Sequence, residues 1–243
     1  MNEVLVFSSP FVYCALVYGV LYMRKRGMLG DVKKQFVTWH NYVMAAQSVW
    51  LLGTLGVFYT KVAAHYNLSW MNFYSVSMQD STVVDMFVLT HATFVGFKVW
   101  EWLDTVILAL NDKPIILLHW WHHATIVIAF YTGVYSSANF WIGFVNSFIH
   151  VVMYLYYADV TWIKPFAKYI TQMQMIQLAG GIFFTACGMW MPGKYYNALI
   201  MLINASYLVL FGVFYFDKYS SGKAGAKNEA KSATANFSIC RMN

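Results

Sequence analysis

Leu118-His119-Trp120-Trp121-His122-His123-Ala124 sets three histidines into a run that is otherwise apolar enough for a lipid bilayer. At about 100° per residue of an α-helix, His119, His122 and His123 fall on a single face. A charged side chain at the centre of a membrane helix costs roughly 2.5–3.5 kcal/mol on insertion scales, and a neutral histidine costs less. Such a face therefore implies buried partners or chemistry.

The sequence around this run has the same character. Of 243 residues, 60% are hydrophobic and 11% charged, against roughly 25% charged in an average soluble domain. At about 20 apolar residues per crossing, seven helices are predicted, near residues 4–23, 36–59, 84–110, 115–133, 138–160, 170–191 and 196–216. An odd number of crossings puts the two termini on opposite sides. With the N-terminus lumenal, the cytosolic segments hold Arg24, Lys25, Arg26, Lys33, Lys34, Lys113, Lys164, Lys168, Lys218, Lys223, Lys227, Lys231 and Arg241. Only Lys61 and Lys194 then lie outside, and Lys98 is left within the third helix, as the bias of basic residues toward the cytosol requires. Removing one helix would put the first basic loop or the basic tail on the wrong side.

The fold class is thus an all-α polytopic membrane protein with seven transmembrane helices, its N-terminus lumenal and its C-terminus cytosolic. Residues 1–219 form the membrane domain. Residues 220–243, rich in Gly, Ser, Ala and Lys and without apolar periodicity, are expected to be a disordered cytosolic tail. The first apolar run carries Glu3 before it and Arg24-Lys25-Arg26 after it, the reverse of a signal peptide's charge order, so it stays as an anchor. The net charge of +6 follows from short basic runs between apolar segments, which excludes nucleic acid as the partner. Asn67-Leu68-Ser69 is a sequon on the lumenal side, whereas Asn204-Ala205-Ser206 is one in letters only, being inside a helix. Cys14, Cys187 and Cys240 lie far apart, form no CxxC, and read as packing residues.

Four further helices carry polar residues. In the third, His91, Lys98, Glu101 and Thr105 share an arc of roughly 80°, with Asp104 on its flank. Lys98 and Glu101 at i, i+3 can pair, the usual way a buried charge survives. The fifth aligns Asn146, His150, Met153, Tyr154 and Tyr157; the sixth Thr171, Gln174 and Gln177; the seventh Asn204 and Tyr207. Taken singly, each set is accounted for by interhelical hydrogen bonding. Depth alters that reading. At 1.5 Å per residue with alternating direction, Glu101, His122, His150, Gln177 and Tyr207 all fall about 10–18 Å below the cytosolic surface. A common level is expected of one polar chamber, open to the cytosol and closed toward the lumen.

Clustered histidines suggest metal first. A membrane di-iron enzyme carries several separate histidine boxes, however, and here there is one box plus His150. His40 and His65 read as too close to helix ends to contribute. A mononuclear ion held by His119, His123 and a carboxylate is the remaining metal alternative. A retinal protein or seven-helix receptor is disfavoured, because the last helix has no lysine for a Schiff base.

Lys98-Val-Trp-Glu101-Trp-Leu-Asp104-Thr105 fits KxxExxDT, and His119-Trp-Trp-His122-His123 fits HxxHH. Asn146-Ser-Phe-Ile-His150-Val-Val-Met153-Tyr154-Leu-Tyr156-Tyr157 fits NxxxHxxMYxYY, and Thr171-Gln-Met-Gln174-Met-Ile-Gln177 fits TxxQxxQ. With these four motifs in order, the chain resembles the very-long-chain fatty acid elongases, the membrane 3-oxoacyl-CoA synthases, over residues 36–216. The resemblance includes Tyr207-Leu-Val-Leu-Phe211 in the last helix. It departs at the C-terminus, which ends Ile239-Cys240-Arg241-Met242-Asn243 rather than in a dilysine signal. Residence in the endoplasmic reticulum membrane is thus implied by the resemblance and not by the tail.

The resemblance implies a decarboxylative Claisen condensation, in which long-chain acyl-CoA and malonyl-CoA give 3-oxoacyl-CoA, CoA and CO2. The cysteines lie outside the motifs, so a ping-pong reaction needs a histidine nucleophile. His122 is assigned that role, and His150 proton transfer or enolate stabilisation. His119 and His123 would fix tautomer and ring angle, and Lys98, Glu101 and Asp104 would orient these groups or neutralise developing charge. Asn146, Tyr154, Tyr157, Gln174, Gln177, Asn204 and Tyr207 complete the set as substrate-binding residues. No metal or cofactor is expected, since loss of CO2 itself generates the enolate. The implied partners are acyl-CoA, malonyl-CoA, membrane lipid and the ketoreductase, dehydratase and enoyl reductase of the same cycle. Homo-oligomerisation is left open. Having His119 rather than Gln at the first box position points away from the polyunsaturate-selective subgroup.

Overall fold

The computed structural model describes residues 3–65, 92–132, 138–187, 189 and 194–219, without the side chains of residues 62, 138–141 and 194. His91, the Asn67-Leu68-Ser69 sequon and the tail from residue 220 lie outside the described residues. The regular elements are helical: α1 (Glu3–Lys25), α2 (Lys34–His65), α3 (92–100), α4 (Trp102–Leu110), α5 (Leu117–Thr132), α6 (Ala138–Tyr157), a 3₁₀ turn (Lys164–Phe166), α7 (Ala167–Cys187) and α8 (Lys194–Tyr219). Glu101 between α3 and α4 keeps helical angles, φ −60° and ψ −15°, so the two form one column. Glu3–Lys25, Lys34–His65 and Tyr195–Tyr219 are long and apolar enough to cross a membrane, and Ile142–Tyr157 is a shorter apolar helix.

Three of the helices stop in the same way. In α1 the Gly27 and Met28 N–H groups bond the Arg24 and Met23 carbonyls, in α4 Asp112 and Lys113 bond Ala109 and Leu108, and in α6 Asp159 and Val160 bond Tyr156 and Leu155. Gly27, Asp112 and Asp159 have φ of 71°, 51° and 70°. This is the Schellman closure, which satisfies the last carbonyls by turning one residue left-handed. It corrects the boundary expected at residue 160, because Asp159 takes the left-handed turn and α6 ends at Tyr157. Two other ends also move. With no proline in its path, α2 runs on past residue 59 to His65, and α7 starts three residues early, behind Pro165 in the 3₁₀ turn.

Ion pairs show which helix ends lie together. Arg24 at the end of α1 bonds Asp31 and, at 2.6 Å, Asp112 beyond α4. Asp159 beyond α6 pairs with Lys164 at 2.6 Å and with Lys34 at the start of α2 at 4.0 Å. One end of the bundle thus gathers basic residues and the caps of α1, α4 and α6. The hydrogen bond from Arg24 holds the Asp112 carboxyl below the usual range, and that from Lys164 does the same for Asp159. These ties are therefore complete above the ordinary carboxylate pKa and loosen only as pH falls through the depressed values.

Packing closes the helices into a ring. α2 lies on α6, α6 on α7, α7 on α8, and α8 on α5. Phe94–Phe130 and Trp50–Phe97 ring contacts join α3 to α5 and to α2. Gly143 of α6 sits under Leu55 and Phe94, where an added Cβ would meet both at 3.6 Å. α1 stays outside the ring, packed on α4 and α5 through a single stripe: Val6, Ser9, Tyr13, Val17 and Val20.

Candidate active site

The ring encloses a cavity of about 440 Å³. Every ring column lines it and α1 does not. Lys113 and Lys218 stand at its basic end. At the far end the lining is Ile126, Ala129, Phe130, Ile142, Leu178 and Ile200, and between the two lies a polar band. That band contains Glu101, Asp104, His119, His122, His123, Asn146, His150, Tyr154, Tyr157, Gln174, Gln177, Asn204 and Tyr207. All residues predicted for the site therefore meet on this cavity except Lys98, which stands behind Glu101.

Lys98 is 1% exposed. Its ammonium donates to Glu101 Oε1 at 2.7 Å and to Asn146 Oδ1 at 2.9 Å, and lies 5.3 and 5.4 Å from the Phe94 and Phe130 rings. The i, i+3 pairing predicted for Lys98 and Glu101 is present, with Asn146 as a third member. His150 Nδ1 lies 3.2 Å from the same Glu101 oxygen, out of line for a full hydrogen bond. Glu101 Oε2 and His123 Nδ1 are buried without hydrogen-bond partners among the described residues. Each such atom costs about 1–3 kcal/mol, and native proteins retain them mainly where a site has a use for them.

The histidine box is held by its backbone and by two of its three rings. Trp102 Nε1 donates to the His123 carbonyl at 3.0 Å, and the Tyr207 hydroxyl, 2.7 Å from Thr125 Oγ1, donates to the His122 carbonyl at 3.4 Å. His119 Nε2 is 2.9 Å from Thr105 Oγ1. The His123 ring packs between the rings of His119, at 4.3 Å, and Tyr13, at 6.3 Å. No hydrogen bond ties the His122 ring among the described residues. It lines the cavity beside the Tyr207 ring, 5.0 Å away.

Asp104 corrects the sequence reading of His40. His40 Nε2 lies 2.7 Å from Asp104 Oδ1, and the Tyr154 hydroxyl donates to Asp104 Oδ2 at 2.7 Å. His40 is 2% exposed and lines the cavity. Its position near the start of α2 is not peripheral, because α2 begins at the same end of the bundle where α4 finishes. The spacing carried a usable signal: His40, Asn41, Met44, Ala45, Ser48, Leu51 and Leu55 are all buried and follow a helical stripe. Tyr13, 3.0 Å from Thr105 Oγ1, was also missed; nothing in the sequence ties α1 to the third column. No group of three His, Cys, Asp or Glu side chains has the arrangement of a metal site among the described residues.

An all-helical membrane protein with a buried polar cavity behind a histidine box is the class these features define. The chain belongs to the GNS1/SUR4 family, whose description it matches over residues 1–227. It is 30% identical over 238 residues to "Fatty acid elongase sre1" of Dictyostelium discoideum, covering 90% of this chain and 85% of that protein. It is 33% identical over 162 residues to "Fatty acid elongase 3" of Trypanosoma cruzi, 60% of this chain and 54% of that one. It is 34% identical over 152 residues to "Long chain fatty acid elongase 2" of Caenorhabditis elegans, 55% of each. Against the last two, the chain spans about half the length of its relative.

Proposed function

We propose that this protein condenses a long-chain acyl-CoA with malonyl-CoA to give 3-oxoacyl-CoA, CoA and CO2, through an acyl group carried on His122. The observation that carries the reading is the His122 ring, which lines the cavity with no hydrogen bond holding it among the described residues, beside His119, bonded to Thr105, and His123, packed against the His119 and Tyr13 rings. Neutral imidazole attacks the thioester carbonyl, the C–S bond breaks, and the proton lost by imidazole leaves with the CoA thiolate. Malonyl-CoA then loses CO2, the enolate carbon bonds to the acyl carbon as the C–N bond to His122 breaks, and the departing imidazole nitrogen takes up one proton from solvent, which restores neutral His122. His150, 3.2 Å from Glu101, would hold charge on the enolate oxygen or move its proton. The apolar far wall suits an acyl chain and the basic end suits phosphates.

Purified protein incubated with acyl-CoAs of graded length and malonyl-CoA should form 3-oxoacyl-CoA with a preferred length. Metal content is measured alongside. Product that disappears with a chelator and returns with one added metal would replace this mechanism with a metal-dependent one.

The wider reading is a seven-crossing protein of the endoplasmic reticulum membrane, working beside the ketoreductase, dehydratase and enoyl reductase of the same cycle. Its basic end would face the cytosol. A glycan at Asn67 together with cytosolic labelling of Lys231→Cys is the expected topology, and both markers on one side would refute it.

A further inference from the structure

α1 lies outside the ring and lines none of the cavity, yet one of its side chains reaches the histidine box through a single intermediary. Tyr13 and Thr105 are both 0% exposed. The Tyr13 hydroxyl is 3.0 Å from Thr105 Oγ1, which is 2.9 Å from His119 Nε2. The three groups form a chain of two hydrogen bonds, and its direction follows from counting hydrogens. A buried phenol hydrogen must be accepted by something, and Thr105 Oγ1 is the acceptor recorded for Tyr13 among the described residues. The threonine oxygen has a second lone pair that His119 Nε2–H could use, but that would leave the threonine's own buried hydrogen without an acceptor among the described residues, so this hydrogen makes the second bond and His119 Nε2 accepts it. A neutral imidazole that accepts at Nε2 carries its hydrogen on Nδ1. The opposite direction would leave the phenol hydrogen buried without an acceptor, at a cost that the observed direction avoids.

We infer that Tyr13 is a positioning residue: acting through Thr105, it fixes His119 as the Nδ1–H tautomer with its Nε2 lone pair occupied. His119 then offers the site a hydrogen-bond donor and no free Nε2 nucleophile, while His122, carrying no such bond among the described residues, keeps its lone pair for the acyl group. The first helix thereby divides the roles within the box without touching substrate. Tyr13 also packs its ring 5.4 Å from Trp102 and 6.3 Å from His123, contacts that Tyr13→Phe retains. This separates the hydroxyl from the packing. The division of roles rests on the condensation proposed above, but the tautomer does not.

The test uses the full chain in detergent or lipid nanodiscs with ¹⁵N-labelled histidine, the His119 resonances being assigned by their loss in His119→Gln. Two-bond ¹H–¹⁵N correlation should show His119 with hydrogen on Nδ1, Thr105→Ser should match it, and Tyr13→Phe and Thr105→Val should give mixed tautomers. In the condensation assay, Tyr13→Phe should lower kcat roughly three- to tenfold with KM unchanged, in keeping with the net worth of one hydrogen bond. The Tyr13→Phe/Thr105→Val pair should be no slower than Thr105→Val alone, since both act on one chain. Hydrogen on Nε2 of His119 in the unaltered protein would overturn the proposal. So would a Tyr13→Phe protein with unchanged tautomer and unchanged kcat. If the unaltered protein makes no 3-oxoacyl-CoA, the proposed reaction fails, while the tautomer, read without substrate, still decides the role of Tyr13.

Discussion

Incubated with a long-chain acyl-CoA alone, the protein is expected to release free CoA and to gain the mass of one acyl group on His122. A ping-pong reaction must discharge its first product before the second substrate reacts, so malonyl-CoA is not needed for this step. His122→Ala should abolish both release and adduct and lower condensation by at least about a thousandfold, as loss of a nucleophile does elsewhere. His150→Ala removes an acid–base group and should cost about 10²–10⁴ in condensation; the rate at which it still forms the adduct reports whether His150 also assists acylation. His123→Ala should give a smaller loss, because its ring acts by packing between His119 and Tyr13. Intact-protein mass spectrometry decides the matter. Full condensation by a protein whose His122 is never modified would mean that the malonyl enolate attacks bound acyl-CoA directly.

The second large effect is on folding. Lys98→Met should destabilise the protein by about 3–5 kcal/mol, because it leaves the Glu101 carboxylate buried without its cation. Glu101 is 3% exposed, so solvent does little to screen the loss. Asn146 and His150 would lose their common anchor, since Lys98 Nζ and Glu101 Oε1 hold them both. The Lys98→Met/Glu101→Gln pair should recover most of the stability, as replacement of a whole buried ion pair by neutral groups often does, yet stay inactive because nothing braces His150. Thermal melting in detergent measures the first effect and condensation the second. A loss below about 1 kcal/mol in Lys98→Met would place the pair in solvent, as for surface salt bridges.

The helices, and most of the residues that line the cavity, were legible from residue order alone. Apolar segments of crossing length can satisfy their backbone polar groups only internally, which makes Glu3–Lys25 and Lys34–His65 helices whatever surrounds them. The spacing of Lys98 and Glu101, and of the box histidines, sets them on one face because helical geometry is local. Ends were less legible. α6 stops at Tyr157 because Asp159 turns left-handed and pairs with Lys164, a choice made by partners brought close by folding.

Other features depended wholly on tertiary structure. Asp104 meets His40 across 64 positions of chain, and Thr105 meets Tyr13 across 92. Periodicity says which face of a helix is buried, not which neighbour buries it. The hydrogen bonds that set a histidine's tautomer come from that neighbour. For this reason the sequence could name His119, His122 and His123 together, while only the packing of α1, α4 and α5 shows that His119 is bonded to Thr105 and that the His122 ring has no hydrogen bond among the described residues.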